Sequence, residues 1–325
     1  MNKKIKIILS VIGAVCLVTA AVFLGINLGK KDKPSIVCLG YAQYDWTLQV
    51  LDAHEKDFDV KYLLDSGVDL HSYQPSPADI LAIKTADLFI YTGGESEEWV
   101  EDILIDVNVN SISLLECIEN PYEEEIIDGM EDEEEENEEE EEEEEETEYD
   151  EHVWLSLQNA KVLVRIIADE ICKLDKDNAA DYDANADAYI EKLDGLDQQY
   201  QTVIENANRD TILFADRFPF RYLVEDYNLN YYAAFVGCSA ETEASPATIA
   251  FLIEKVNELD LQCIVVLENT RCTFAEIIIR DSADKNQDVL TMNSLQSISK
   301  SNIINGISYL SVMESNLETL TQALT

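Results

Sequence analysis

The chain has 325 residues, 67 of them acidic against 22 basic, and a formal net charge of −45. A balance this negative repels phosphate and excludes nucleic acid as a partner, because such binding needs a basic footprint; it favours attraction of cations instead.

Two blocks stand apart from the rest. Residues 7–29 carry no charge and are flanked by Lys3, Lys4 and Lys6 and by Lys30, Lys31 and Lys33. Roughly 20 apolar residues are enough to cross a bilayer core. The layout also resembles a secretory signal, but the run is long for one, so an uncleaved anchor over residues 1–33 is expected. Cys16 lies inside it, behind Gly13, Ala14 and Val15, a poor lipoprotein cleavage site. The flanking charges are balanced and do not set an orientation. The second block, 123–151, holds 22 of the acids and no base. Like charges at that density cannot collapse, so 121–151 is expected to form a disordered loop. The remainder is long enough for one large or two medium lobes.

The first lobe is expected over 34–120. The apolar run Ser35–Gly40 reads as a buried strand, followed by a helix through Leu48, Val50 and Leu51. Val60–Leu64 is a second strand. A loop then leads to Ser76, Pro77 and Asp79, which supply an N-cap, a first-turn proline and a first-turn acid. Leu88–Tyr91 is a third strand, a helix carries Trp99, Ile103 and Leu104, and Ile112–Leu115 is a fourth strand. Strands that alternate with helices imply a parallel sheet covered on both faces. From 152 to 208 the pattern is helical. A first helix carries Leu155, Leu163 and Ile167. A second, over 178–207, places Tyr182, Tyr189, Leu193, Leu196, Tyr200 and Val203 on one stripe. At 1.5 Å per residue it would be roughly 40 Å long, enough to run along two lobes. The alternation resumes over 209–325. Strands are read at Thr211–Phe214, Tyr231–Phe235, Cys263–Leu267 and Val289–Met292, and helices at Phe218–Tyr227, from Ser245 and Pro246, around Phe274–Ile279, and through Leu310–Leu320. The fold class is therefore α/β, two parallel-sheet lobes joined by a long helix, with the usual ligand position in the crevice at the strand ends.

Chemistry-bearing residues are few. The seven cysteines are scattered without a CxxC pair and read as free thiols, Cys38, Cys117 and Cys263 lying in strand-like segments. Of three histidines, His54 sits among polar neighbours and reads as a surface or helix-end residue. His71 follows the second strand on the crevice side, and His152 lies just beyond the acidic block. Neutral imidazole is a good ligand for zinc and its neighbours. Taken alone, either histidine reads as structural more readily than as a ligand. No nucleophile elbow, phosphate loop, dinucleotide fingerprint or HExxH is present, so no enzymatic activity is expected; a zinc hydrolase built from two histidines in separate segments is disfavoured.

Asp69–Asp79, containing His71, resembles the first ligand motif of the zinc- and manganese-binding solute proteins of ABC importers. Asp150–Ser156, containing His152, resembles their second, and Ser239–Pro246 their stretch before a second-lobe helix. Zinc members of that family carry a charged low-complexity loop between the two motifs, the place of 123–151. The resemblance covers about 35–325 and implies two lobes with metal between them, His71 and His152 as ligands, and Zn2+ as the carried ion with Mn2+ as alternative. It also implies an ABC permease as partner and a monomer at the extracytoplasmic face of the membrane. The second lobe departs from the pattern. Arg217 falls where a third ligand belongs, and a guanidinium cannot bind a metal. Asn293 falls at the fourth position. Asp216, adjacent to Arg217, and Glu268, at the end of a strand, are the carboxylates expected to complete the shell, with Asn293 as a weak donor; salt bridging for Asp216 and helix-dipole stabilisation for Glu268 stay open. Glu241 and Glu243 read as solvated loop acids. The same departures leave open a surface adhesin or metal-sensing protein on this scaffold. The acidic block lacks the spacing of a calcium loop; a cation-gathering role and a merely soluble loop stand level.

Overall fold

Short runs of buried apolar residues, each followed by a helix, build two parallel sheets in the computed structural model, which describes residues 33–105, 107–131, 148–239 and 244–325. The anchor expected over 7–29, the acids from 132 to 147, and Glu241 and Glu243 lie outside the described residues. Ser35–Thr325 forms one structural unit. Among the described residues no helix is long and apolar enough to cross a membrane.

The first lobe runs β1 (Ser35–Cys38), α1 (Tyr41–Leu51), β2 (Asp59–Tyr62), α2 (Pro77–Lys84), β3 (Leu88–Tyr91), α3 (Trp99–Leu104) and β4 (Ser111–Ser113). The sheet order is β2-β1-β3-β4, all parallel, with Ile36 paired to Val60 on one side and Leu88 on the other. Ile36, Cys38, Leu88 and Ile90 are fully buried, which is why these strands read as continuous apolar runs rather than alternating ones. Helix α2 starts where its sequence requires. Ser76 Oγ accepts from Asp79 N–H, the Asp79 carboxylate accepts from Ser76 N–H, and Pro77 occupies the first turn.

Two helices follow, α4 (Leu157–Leu174) and α5 (Ala179–Glu205). The 27 residues of α5 bury Tyr182, Ala186, Tyr189, Leu193, Leu196 and Tyr200 along one stripe. In its N-terminal half, Asn185 Nδ2 donates to Val50 O (2.9 Å) and Tyr189 OH to Asp45 Oδ2 (3.3 Å), both on α1. In its C-terminal half, Tyr200 OH donates to Met313 O (2.6 Å), in the last helix of the second lobe. One helix thus serves both lobes.

The second lobe runs β5 (Thr211–Phe218), α6 (Arg221–Tyr227), β6 (Asn230–Val236), α7 (Pro246–Glu258), β7 (Cys263–Leu267), α8 (Thr273–Asp281), β8 (Asp288–Met292), α9 (Lys300–Ile304) and α10 (Tyr309–Ala323), with sheet order β6-β5-β7-β8, all parallel. Strand β5 continues past Phe214, where the sequence reading ends it. After an irregularity between Phe214 and Arg217, pairing with β6 resumes at Arg217–Phe235 and Phe218–Val236, so the following helix starts at Arg221 rather than Phe218. A further difference concerns the acidic block, whose two edges are ordered rather than disordered. Glu123 and Tyr149 form an antiparallel bridge, Asp150 N–H donates to Tyr122 O, Glu131 N–H donates to Ala234 O, and Met130 is buried. The backbone satisfies itself across the base of the insert, which side-chain charge alone does not reveal.

Leu193 is fully buried midway along α5. Leu193→Ala leaves a cavity there and is expected to lower unfolding free energy by about 2–5 kcal/mol, measured by urea denaturation.

Candidate metal centre

The loops at the carboxyl ends of β2, β6 and β8, with the segment leaving the acidic insert, bring their side chains to one place. On the first-lobe side, Asp69 caps the turn Leu70–Ser72 by accepting from His71 N–H (3.1 Å), and buried Leu70 anchors that turn. His71 Nδ1 lies 2.6 Å from Ser96 Oγ and 3.8 Å from Glu151 Oε2. Glu151 is itself held by Ser96 N–H, which donates to its Oε1 (2.7 Å). Gly94 makes room for that carboxylate: its φ is +93°, and a Cβ there would sit 2.6 Å from Glu151 Oε1.

His152 is fully buried. Its Nδ1 lies 2.9 Å from Asp150 Oδ1, and its backbone N–H donates to the same oxygen (2.8 Å). A carboxylate only accepts, so Nδ1 carries the proton and Nε2 presents its lone pair. The Ser96 hydroxyl stands in the equivalent place beside His71. The two Nε2 atoms are 3.3 Å apart. The Gln296 amide stands between them, its Nε2 2.8 Å from His71 Nε2 and 2.6 Å from His152 Nε2, its Oε1 2.9 Å from Ser294 Oγ. An amide nitrogen has only hydrogens to offer, so both imidazole nitrogens are acceptors that aim at one point. Two nitrogens bound to one tetrahedral zinc at about 2.0–2.1 Å are themselves about 3.3 Å apart. Cys238 Sγ joins the two histidines: one ring nitrogen of each and this sulfur all lie within 4.8 Å of one another.

The electrostatics suit a cation. Burial, then the facing His152 ring, pushes His71 down to about 3, so it is neutral and available. Burial also pulls His152 down, but Asp150, with Glu151 and Glu124 behind it, outweighs that and raises it. Burial lifts Glu151 to about 7. Burial opposes ionisation of Asp69 as well, yet the Arg217 guanidinium prevails and holds it below the usual range. Burial and the Glu124 carboxylate raise the Cys238 thiol well above its ordinary value.

Of the residues expected to complete the shell, neither carboxylate joins this group among the described residues, and the Asn293 amide is engaged elsewhere. Asp216 Oδ1 accepts from Arg217 N–H (2.9 Å) and Oδ2 from Leu267 N–H (3.1 Å), so it stitches β5 to β7. Glu268 accepts from Ser294 N–H (2.9 Å) and Ser294 Oγ (2.8 Å), holding the loop that carries Gln296. Asn293 Oδ1 accepts from Leu295 N–H (2.8 Å), closing its own turn. Arg217 spans the lobes, donating to Asp69 Oδ2 (2.8 Å) and Ser239 O (3.4 Å). His54 pairs with Asp181 (3.0 Å) at the helix surface, as read from its neighbours. The sequence reading missed Cys238 and Gln296. Cys238 follows a strand at its carboxyl end, a signal that was there to use; Gln296 carried none.

Asp150→Ala removes the carboxylate that orients the His152 ring while leaving its lone pair in place. Zinc affinity is expected to fall about 10–100-fold in a competition titration, with an unchanged circular dichroism spectrum.

Known proteins share this fold and much of this sequence. Residues 36–323 match the family model described as zinc-uptake complex component A, periplasmic. The chain is 32% identical over 321 residues to the zinc-binding lipoprotein AdcA of Streptococcus pneumoniae, covering 98% of this chain and 61% of that protein, so it spans less than two thirds of that relative's length. It is 31% identical over 295 residues to the high-affinity zinc uptake system protein ZnuA of Bacillus subtilis, covering 91% of this chain and 89% of that one. The crystal structure of the Zn(II)-bound ZnuA-like domain of Streptococcus pneumoniae AdcA superposes with a TM-score of 0.70 at 28% identity, over 90% of this chain and 99% of that one. The laminin-binding protein Lmb of Streptococcus agalactiae, at 23% identity and a TM-score of 0.72, shares the fold. With two histidine motifs, paired α/β lobes and a family match from one end of the folded unit to the other, the chain belongs to the periplasmic zinc-uptake component A family.

Proposed function

We propose that this chain captures Zn2+ at the extracytoplasmic face of a membrane, tethered by residues 7–29, and passes it to an ABC permease. The observation that carries the reading is the pair of imidazole Nε2 atoms 3.3 Å apart, each with its other nitrogen committed to an oxygen partner. That spacing suits one ion shared by His71 and His152, and the family membership supplies the transport context. Zinc is favoured over manganese because nitrogen donors bind manganese weakest among the divalent first-row ions. Gln296 would move aside, or turn its oxygen toward the ion, when metal enters. The acids of 132–147 would raise the local concentration of cations beside the site without forming a tight site themselves.

Calorimetry on the purified chain checks the central claim. One zinc per chain is expected with a dissociation constant below about 1 μM, and the double variant His71→Ala, His152→Ala is expected to lose that site. Absence of a site this tight, or an unchanged affinity in the double variant, removes the assignment. For the insert, a deletion of 132–147 is expected to leave the equilibrium affinity within about threefold while slowing zinc association at low salt, the difference disappearing near 1 M salt where the screening length is about 3 Å. Stopped-flow measurements of association at two ionic strengths give the comparison.

A further inference from the structure

We infer that Cys238 is a third ligand in the cleft, a thiolate that restricts the cargo to borderline and soft divalent ions. This rests on capture of metal by His71 and His152 and adds the chemical class of ion that the site takes.

The placement of the thiol is built. Strand β6 ends at Val236, and Gly237 then turns directly over the His152 ring. A Cβ at Gly237 would lie 2.9 Å from His152 Cε1 and 3.0 Å from Phe218 O, so only glycine allows the chain to pass this close. The next residue is Cys238. Its backbone N–H donates to Glu124 Oε1 (3.0 Å), from the ordered edge of the acidic insert. The carbonyl of Ser239, one residue on, accepts from Arg217, whose other nitrogen donates to the Asp69 carboxylate beside His71. The loop carrying the thiol is therefore fixed at 237, 238 and 239, once against the second histidine, once against the insert and once through Arg217 toward the first histidine. Its sulfur joins His71 and His152 in the one group of three whose ligand atoms all approach within 4.8 Å among the described residues.

Arg217 explains why the thiol is needed. At the position where the family resemblance expects a ligand, a guanidinium stands that cannot donate a lone pair. A donor from the neighbouring strand end takes over, and the arginine becomes the strut that holds it. Two imidazoles and one thiolate form a donor set suited to zinc, cobalt or cadmium and poorly suited to manganese, magnesium or calcium. On binding, the S–H bond gives its proton to solvent and the sulfur lone pair forms the metal–sulfur bond. One proton is released per ion, and no electron is transferred.

Cobalt(II) is the probe, because sulfur ligation adds an intense near-ultraviolet charge-transfer band to its visible d–d bands. Titration of the full-length chain with Co(II), under reducing and anaerobic conditions, is expected to raise both sets together up to one equivalent. Cys238→Ser and Cys238→Ala should keep d–d bands and lose the charge-transfer band, whereas Cys272→Ser should keep both. In the Cys238 variants, affinity for Cd(II) is expected to fall about tenfold or more relative to that for Mn(II). Wild-type chain that binds Co(II) with His71-dependent d–d bands but no charge-transfer band overturns the thiolate and leaves capture by the two histidines standing. Failure of the wild-type chain to bind Co(II) at all overturns both.

Discussion

The contact on which the metal centre depends is the hydrogen bond from His152 Nδ1 to Asp150. It does three things at once. It assigns the proton to one ring nitrogen, frees the other, and holds the ring plane so that the free lone pair faces His71. The same Asp150 oxygen also accepts the backbone N–H of His152, so ring and main chain are fixed by one acceptor. Asp150 is held in turn by backbone pairing across the base of the acidic insert, through Tyr122 and the Glu123–Tyr149 bridge. The described base of the charged insert is therefore mechanically continuous with the His152 segment that follows it. Its base forms part of the wall of the centre, and Glu124 reaches from there to the backbone of Cys238.

The scaffold around this contact is stiff where it needs to be. Helix α5 is anchored by tyrosine hydroxyls to both lobes, and its stripe is closed to water. Tyr309 OH donates to Trp154 O, and Trp154 Nε1 donates to Ser294 O, which links α10, the His152 segment and the Gln296 loop in one buried chain of bonds. Buried polar networks of this kind carry cost when any member is missing, so they define one arrangement. The loops that bring His71, Cys238 and Gln296 together are short excursions from that frame.

Much of this was legible in the residues. Parallel sheets follow from runs such as Leu88–Tyr91 and Cys263–Leu267, which are too apolar to face water on either side. Helix starts at Ser76 and Ser245 follow from a hydroxyl cap with proline behind it. The histidines were legible because each sits in a recognisable local motif. The rest of the centre was not, for a consistent reason. Asp216, Glu268 and Asn293 have the right functional groups at strand ends, but each spends its oxygens on a nearby backbone or serine donor. Whether a carboxylate serves a turn or an ion depends on which N–H groups the neighbouring loop leaves unpaired, and composition does not encode that. Cys238 was hidden among other scattered thiols, and its meaning comes only from Gly237 letting the chain pass over an imidazole. Sequence also misjudged the edges of the insert, because a bridge between two backbones is indifferent to the charge of the side chains around it.

The Arg217–Asp69 pair has a thermodynamic consequence for emptying the cleft. Both side chains are about one-fifth exposed, so their attraction is weakened by water and ions. Fully exposed pairs contribute roughly 0–1 kcal/mol, and water reaches this partly buried one as well. As a clasp between the two halves it is therefore soft: its partners regain hydration as they separate, and little work is spent in parting them. Firmer links between the halves lie elsewhere: Tyr62 OH donates to Ile298 O, Lys300 N–H to Asp65 O and Trp154 Nε1 to Ser294 O. The clasp over the cleft is the yielding part of the seam, and those sheltered links are its rigid part.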